Sequence, residues 1–247
     1  MKKNINKSPI SVLPLSIRSL LYKIFLGRDY LPAAGEIYFG NLRRVKPIDP
    51  DWGCGRGSPI DRYYIEKFLL KNSADIKGRV LDFAGNHYTI QYGGDKVTAS
   101  DIMNYVKIPT ATIVGDLAKA DHIPSDRFDC IILTQVLPFV YDIKAAVKTL
   151  YRILKPGGVV LVTLPGIAKI NDEDLNIYGD YWRFTRISAA RIFEEEFSKE
   201  NVKVESKGNV LAAASFLFGI AKEELTPAEL DHYDSNYEVT VTVRAVK

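Results

Sequence analysis

Acidic residues lie near the ends of three apolar segments of the chain, at positions suited to holding a nucleotide. Asp82 lies in the first segment, Asp101 ends the second 19 positions later, and Asp116 follows the third. A carboxylate at Asp101 can accept hydrogen bonds from both hydroxyl groups of a ribose, and Asp116 is placed to face an adenine edge. An aspartate after a strand is commonly a turn residue or a helix cap. The order of the three, more than any one of them, indicates an adenosine-containing ligand.

The turn after the first apolar segment discriminates between ligands of this kind. It reads Ala84-Gly85-Asn86-His87-Tyr88 and contains one glycine. A dinucleotide needs several glycines there, because backbone amides must approach its pyrophosphate. The sequence also has no Gly-Lys-Ser/Thr phosphate-binding motif. NAD and ATP are therefore disfavoured.

Several motifs together resemble the class I S-adenosylmethionine-dependent methyltransferases. They are Val80-Leu81-Asp82, Ser100-Asp101, Gly115-Asp116-Leu117, Asp126-Arg127-Phe128-Asp129-Cys130-Ile131-Ile132 and Leu154-Lys155-Pro156-Gly157-Gly158. The resemblance covers about residues 59–247. A further stretch, Asp180-Tyr181-Trp182-Arg183-Phe184-Thr185, is similar to members of the type 11 group, which are often associated with bacterial glycan and secondary-metabolite assembly.

This resemblance implies S-adenosylmethionine as cofactor and assigns its contacts. The turn after the first strand would form the cofactor loop, the acid after the second strand would hold the ribose, and the ends of the third and fourth strands would flank the adenine and the methionine portion. The residues so assigned are Asp82, Ala84, Gly85, Asn86, Asp101, Ile102, Asp116, Leu117, Thr134 and Gln135. The loop departs from the family pattern, since it lacks two or three of the usual glycines.

Methyl transfer to a hydroxyl group needs a base, and three residues are candidates for the substrate side. His232, just before the last predicted strand, has a side chain suited to accepting a proton near neutral pH; an exposed loop histidine is the alternative. Tyr181 would contact the substrate or the sulfonium through its ring, and Arg183 would bind an acidic acceptor, although the aromatic stretch around them can also simply seal the domain. No metal is expected, because the three histidines lack ligand spacing.

The elements that must position these residues alternate between strand and helix patterns. Strands are predicted over 79–83, 96–100, 111–114, 128–134, 159–164, 202–206 and 237–246, and helices from 59, over 142–154, 187–197 and 211–221. Near-continuous apolar strands covered by helices are typical of an α/β sheet with helices on both faces. The last strand ends the chain close to its predecessor, which favours an antiparallel pairing over another parallel crossover. The predicted fold is a Rossmann-like, seven-stranded mixed sheet with an antiparallel last strand.

Residues 1–58 are predicted to be an N-terminal extension to a methyltransferase domain at 59–247. Within the extension an apolar run from 10 to 26 is interrupted by Pro14, Arg18 and Lys23, so it is too charged to span a bilayer. An amphipathic segment is expected. It would pack on its own domain or on a second subunit, or contact membrane headgroups; a lid, a dimer arm and a membrane foot all stay open.

Composition narrows the partners and the compartment. Hydrophobic residues make up 47% and charged residues 26%, and 33 basic against 30 acidic residues give a net charge of +3, too mild for a nucleic-acid partner. The two cysteines, Cys54 and Cys130, have no metal spacing and fit a reducing cytoplasm.

The favoured function is O-methylation of a sugar or another small hydroxyl-bearing substrate. The alternative is a non-catalytic scaffold that binds a protein partner or a membrane.

Overall fold

A computed structural model describes residues 13–247, apart from the side chains of Leu15 and Glu173. The chain divides into two compact units, residues 1–45 and 46–247. In the first, helix α1 (Leu15–Leu26) ends at Gly27, whose φ of 61° is the left-handed conformation that favours glycine. The start of the predicted segment 10–26 lies outside the described residues. No helix within residues 13–247 is both long and apolar enough to cross a membrane, and membrane contact stays a prediction.

The second unit contains a seven-stranded sheet. Its strands are β1 (Gly78–Phe83), β2 (Val97–Asn104), β3 (Ile113–Val114), β4 (Phe128–Thr134), β5 (Leu154–Pro165), β6 (Val202–Lys207) and β7 (Thr240–Val246). The order across the sheet is β3-β2-β1-β4-β5-β7-β6. Neighbouring strands pair in parallel except at β7, which is antiparallel to both β5 and β6. The prediction of a mixed sheet with a reversed last strand is confirmed.

Helices cover both faces of the sheet. They are α2 (Ile60–Lys71), α3 (Ile143–Ile153), α4 (Asp172–Tyr178), α5 (Arg186–Glu194), α6 (Val210–Phe218) and α7 (Pro227–Asp231). Alternation along β4 feeds two cores: Ile131 and Leu133 pack with α3 and α5, whereas Cys130 and Ile132 pack with α2. Such strands are buried on both sides, which explains their continuous apolar sequence.

Residues 46–58 belong to the second unit, so this unit begins before the predicted boundary at Pro59. The amide of Ile48 donates to the carbonyl of Phe218 (2.7 Å), and the amide of Lys222 donates to the carbonyl of Ser58 (2.8 Å). The carboxylate of Asp49 accepts from the amides of Asp51 and Gly55. These contacts tie a segment without regular structure to the end of α6 and the turn beyond it.

Strand β2 is longer than predicted, and this difference moves a predicted site residue. The strand continues to Asn104 and pairs with β1 up to Phe83, which lies opposite Met103. Asp101 therefore lies inside the strand, opposite Leu81, and not at its end. The polar pair Ser100-Asp101 looked like the end of the strand. The strand instead continues through Ile102 and Met103, which are both buried.

Candidate functional site

A cavity of about 630 Å³ opens at the carboxyl ends of β1, β2, β3 and β4. Each strand contributes residues from its last position or the turn that follows it. The lining includes Phe83 and Ala84 after β1, Asn104 and Tyr105 after β2, Asp116 and Leu117 after β3, and Thr134 and Gln135 after β4. Open α/β sheets bind their ligands at this edge.

The turn after β1 is held by a buried carboxylate. Asp82 is 2% exposed, accepts from the amide of Phe83 (2.8 Å) and accepts from the hydroxyl of Thr89 (3.0 Å). Burial raises its pKa to about 7. Asp82 thus acts from behind the turn and fixes its path. Among the described residues, those that line the cavity do not include it.

Ala84 is the residue of this turn that faces the cavity along with Phe83. Its φ of 61° lies in the left-handed region, where a glycine is more usual. The backbone amide of Ala84 donates to the carbonyl of Met103 (3.1 Å), and the side-chain amide of Asn86 donates to the hydroxyl of Ser100 (3.3 Å). The loop is therefore tied to β2 despite having lost the usual glycines.

Asp101 is engaged within the protein. It is 6% exposed, and its carboxylate binds the guanidinium of Arg79 (2.6 Å) and lies 3.6 Å from that of Arg127. It also accepts from the hydroxyl of Thr112 (3.2 Å). Asp101 and Ile102 are not among the described residues that line the cavity. The predicted ribose carboxylate therefore has other partners.

Asn104, at the end of β2, lines the cavity where Asp101 was predicted to lie. Leu81 lies opposite Asp101, so the position three residues further along β2 is level with Ala84 in the turn. The side-chain amide of Asn104 donates to the carbonyl of Val106 (2.9 Å). Its oxygen is then oriented away from that bond and is available to accept.

The end of β3 supplies a carboxylate to the cavity. One oxygen of Asp116 accepts from the amide of Ala118 (2.9 Å) and caps the short helical turn that follows. Leu117 is buried beneath it. Both predicted residues line the cavity, and the second carboxylate oxygen of Asp116 is available to a ligand.

The end of β4 presents an amide without a partner. Gln135 has a φ of 57°, and its backbone amide donates to the carbonyl of Thr163 (2.9 Å). Its side-chain Nε2 is buried and has no hydrogen-bond partner among the described residues. A buried donor in this state costs about 1–3 kcal/mol. Gln135 lines the cavity beside Thr134, so a ligand acceptor can satisfy it.

The outer wall of the cavity is aromatic. Tyr178 packs edge-on against Tyr105 with ring centroids 6.0 Å apart, and Tyr181 packs against Tyr141 at 5.3 Å. Aspartates 142 and 174 lie at the same wall, while Lys119 is the cation among the described lining residues. Aromatic faces next to carboxylates stabilise a positively charged group.

Arg183 holds this wall in place. Its guanidinium binds the carboxylate of Asp180 through two bonds, one of 2.9 Å, and donates to the carbonyls of Ala168 (3.3 Å) and Lys169 (2.6 Å). These bonds occupy its donors, so the geometry makes Arg183 a clamp between the segment after β5 and the turn that carries Tyr181. It is not among the described residues that line the cavity.

His232 lies apart from the cavity-lining residues that the structure describes. It ends α7, its amide donates to the carbonyl of Ala228 (3.1 Å), and its carbonyl accepts from the side chain of Asn209 (2.7 Å). Its imidazole is exposed. Of the three predicted catalytic residues, the structure brings Tyr181 alone to the cavity.

Sequence reasoning placed Tyr178 on the ligand side, in the aromatic segment after the fifth strand, but did not identify several other lining residues: Asn104, Tyr105, Phe139, Tyr141, Asp142 and Asp174. Asp142 is recognisable from the sequence as a helix cap, and in the structure it caps α3 by accepting from the amide of Ala145 (3.0 Å). Asp174 comes from α4, a helix absent from the sequence prediction, and its approach to the cavity depends on packing that no local pattern encodes.

Comparison with known proteins agrees with this geometry. Residues 51–162 match the family model described as a methyltransferase domain. These residues, less than half of the chain, are similar to the class I S-adenosylmethionine-dependent methyltransferases. The type 11 resemblance predicted from the sequence is thereby confirmed, and this resemblance implies S-adenosylmethionine as the cofactor.

Two curated relatives match part of this chain. Both carry the name ubiquinone/menaquinone biosynthesis C-methyltransferase UbiE. The protein from Haemophilus ducreyi is 32% identical over 100 residues, covering 36% of this chain and 39% of the relative. The one from Marinomonas sp. is 36% identical over 113 residues, covering 46% and 42%. The matches thus span about two fifths of each relative.

Among solved structures, a SAM-dependent methyltransferase from Archaeoglobus fulgidus has the same fold. The two chains superpose with a TM-score of 0.50 at 12% identity, over 75% of this chain and 94% of the other. Identity this low supports the fold and nothing finer.

The residues of the cavity fit the cofactor. The orphaned Nε2 of Gln135 is a donor for a carboxylate or hydroxyl oxygen, Asp116 is an acceptor for an adenine amine, and the aromatic wall suits a sulfonium.

Gln135 gives a direct test of this fit. Replacing it with leucine, which keeps the volume and the left-handed backbone but removes the orphaned donor, is expected to raise the free energy of unfolding by about 1 kcal/mol. The same change is expected to weaken S-adenosylhomocysteine binding about tenfold, because a hydrogen bond made only with the ligand is lost. Denaturant unfolding and calorimetric titration measure the two effects.

The matched control is Gln91→Leu, at an exposed position, which should change both quantities little. If Gln135→Leu leaves cofactor affinity at the wild-type value, Gln135 does not contact the cofactor.

Proposed function

We propose that the protein transfers a methyl group from S-adenosylmethionine to a hydroxyl group of a small acceptor such as a sugar. The observation that carries this proposal is the cavity at the strand ends, with a buried unpaired amide on its floor and an aromatic, acidic wall. This combination supports an organic ligand with a cationic centre more than a structural void, which is normally apolar.

Three residues would hold the cofactor within the cavity. Asp116 would accept from the adenine amine, Asn104 would accept from a ribose hydroxyl, and Gln135 would donate to the methionine portion. The buried leucine at position 117 would contact the flat face of the base. When bound, S-adenosylmethionine supplies an electrophilic methyl group on a sulfonium.

The wall residues would orient the acceptor and exclude water from it. Positioning supplies much of the rate of such a transfer, because the acceptor atom must approach in line. The ring of Tyr181 is half exposed at the wall and its amide donates to the carbonyl of Pro138 (2.9 Å), so its position is fixed by the backbone. Asp142 and Asp174 are the carboxylates at the same wall that would take the hydroxyl proton.

Charge at the cavity favours a neutral acceptor. Among the described residues that line it, the carboxylates of Asp116, Asp142 and Asp174 outnumber the ammonium of Lys119. An acceptor bearing phosphate or carboxylate groups would be repelled. A sugar or another uncharged hydroxyl compound fits this balance.

A carbon acceptor is the second candidate. It is motivated by the name of the two partial relatives, which are C-methyltransferases of quinone biosynthesis. An aromatic wall would also suit a flat quinol ring, through stacking on Tyr178 or Tyr105.

Methyl transfer from carbon-13-labelled S-adenosylmethionine to a panel of sugars, phenols and quinols distinguishes the candidates. The carbon chemical shift of the product identifies an O-methyl or a C-methyl group. Labelled O-methyl product supports the proposal, and C-methyl product alone replaces it with the second candidate. Tight cofactor binding without turnover on any acceptor would favour the non-catalytic scaffold.

A further inference from the structure

A cluster of lysines surrounds one carboxylate on the face of the sheet that carries α2. Lys203, Glu205 and Lys207 alternate along β6, so their side chains project to the same side. Lys71, the last residue of α2, reaches the same carboxylate. The ammonium groups of Lys71, Lys203 and Lys207 lie 2.8, 3.5 and 3.3 Å from the oxygens of Glu205.

One carboxylate cannot balance three ammonium groups. Both oxygens of Glu205 are occupied, and the hydrogen bond from Lys71 lowers its pKa to about 2. Lysine side chains repel one another at such separations. The arrangement therefore holds positive charge that no described acidic side chain of the cluster neutralises.

The neighbouring charges do not remove this surplus. Lys67 pairs with Asp231 (2.7 Å), and Arg244 pairs with Asp75 (2.7 Å). Each of these pairs is neutral in itself. The local excess of two positive charges therefore stays with the lysines around Glu205.

The lysines line two adjoining cavities of about 240 and 290 Å³. Phe68, Lys71, Glu205 and Thr242 line both, so the two form one groove between α2 and β6, which we call the Glu205 groove. Tyr64 and Tyr233 line its larger part. It shares no lining residue, among those described, with the cavity at the strand ends.

We propose that the Glu205 groove binds a phosphate ester. A phosphate monoester carries close to two negative charges near neutral pH, which matches the surplus of the lysines. Lysine binds phosphate as a point charge, and three of them converge from two elements. The ring of Phe68 and the tyrosines of the larger part offer apolar contact to the organic portion.

Binding of phenyl phosphate to the full chain tests this proposal. Calorimetry at fixed ionic strength is expected to show saturable binding that weakens about tenfold or more in the double variant Lys71→Gln/Lys207→Gln, since two favourable charges are lost. Lys148→Gln, an exposed lysine of α3 on the other face of the sheet, is the matched control. Absence of saturable binding, or equal binding by the double variant, would overturn the proposal.

Glu205→Gln separates a binding defect from a folding defect. Removing the carboxylate releases the ammonium groups and removes a repulsive charge, so phenyl phosphate should bind several-fold more tightly than to the wild type. Partial unfolding can only lower affinity. A Glu205→Gln variant that is folded by circular dichroism and binds no better than wild type would contradict the proposed charge balance.

The phosphate can belong to a soluble metabolite or to a lipid headgroup. Co-sedimentation with phosphatidylglycerol vesicles, compared with neutral phosphatidylcholine vesicles, distinguishes these sources. Retention on the anionic vesicles that requires Lys71 and Lys207 indicates a headgroup. Phenyl phosphate binding without such retention indicates a soluble ester, and binding of neither probe overturns the proposal.

Discussion

Replacing Asn104 with alanine is expected to weaken S-adenosylhomocysteine binding about five- to tenfold, whereas Asp101→Asn leaves binding nearly unchanged. The reason is the register of β2. Asp101 lies opposite Leu81 inside the sheet, while Asn104 lies at the cavity. Loss of one hydrogen bond to a ribose hydroxyl corresponds to about 1–1.5 kcal/mol. Calorimetric titration of both variants measures the difference.

The free energy of unfolding should respond in the opposite order, with a larger loss in Asp101→Asn than in Asn104→Ala. Asp101→Asn removes the charge that pairs with Arg79, whose side chain is 38% exposed, so we expect a loss of about 1–2 kcal/mol in the free energy of unfolding after allowance for solvent screening. Asn104→Asp provides a second check, because a carboxylate retains the acceptor and should keep cofactor affinity. Loss of binding in Asp101→Asn together with normal binding by Asn104→Ala would return the ribose contact to Asp101.

The free energy of unfolding is expected to fall as pH rises from about 4 to about 7, largely because of Asp82. Burial raises the pKa of this carboxyl to about 7, above the ordinary 3.8. The folded state therefore keeps a proton that the unfolded chain releases, and deprotonation at higher pH favours unfolding. A shift of this size corresponds to about 4 kcal/mol. Denaturant unfolding at several pH values measures it.

Asp82→Asn should remove most of that decline and make the protein more stable than wild type at pH 8. The amide can still accept from the backbone of Phe83 and contact Thr89, so the turn should keep its path. A smaller decline between about pH 4 and pH 6 should persist, because burial also raises the pKa of Asp61 to about 6. An unchanged pH profile in Asp82→Asn would mean that Asp82 stays ionised in the fold.

The sequence predicted the fold well where burial dictates composition. The bounds of β4 were predicted as 128–134 and observed as Phe128–Thr134, because this strand is covered on both faces and is apolar at every position except Asp129 and Thr134. The reversal of β7 was also predicted, although the connection from β6 to β7 contains α6 and α7 and is long enough for a parallel crossover. The antiparallel pairing of β7 with both β5 and β6 confirms this inference.

The site was predicted less completely, because its geometry depends on register and on long-range packing. Asp116, Thr134 and Gln135 come directly after strands and were identified from position alone. Asn104 was missed because the pairing of β2 with β1 continues through residues that look like a strand end. The clamp role of Arg183 depends on carbonyls of the segment after β5, which no spacing in the sequence reveals.

A crystal structure of the protein crystallised with S-adenosylhomocysteine tests most directly the claim that the cofactor binds in the cavity at the strand ends. We expect density for the cofactor in the cavity at the strand ends, with the adenine amine at Asp116, a ribose hydroxyl at Asn104 and the amino-acid portion at the side-chain amide of Gln135. An empty cavity at saturating cofactor, or a cofactor bound elsewhere on the chain, would contradict the assignment of this site.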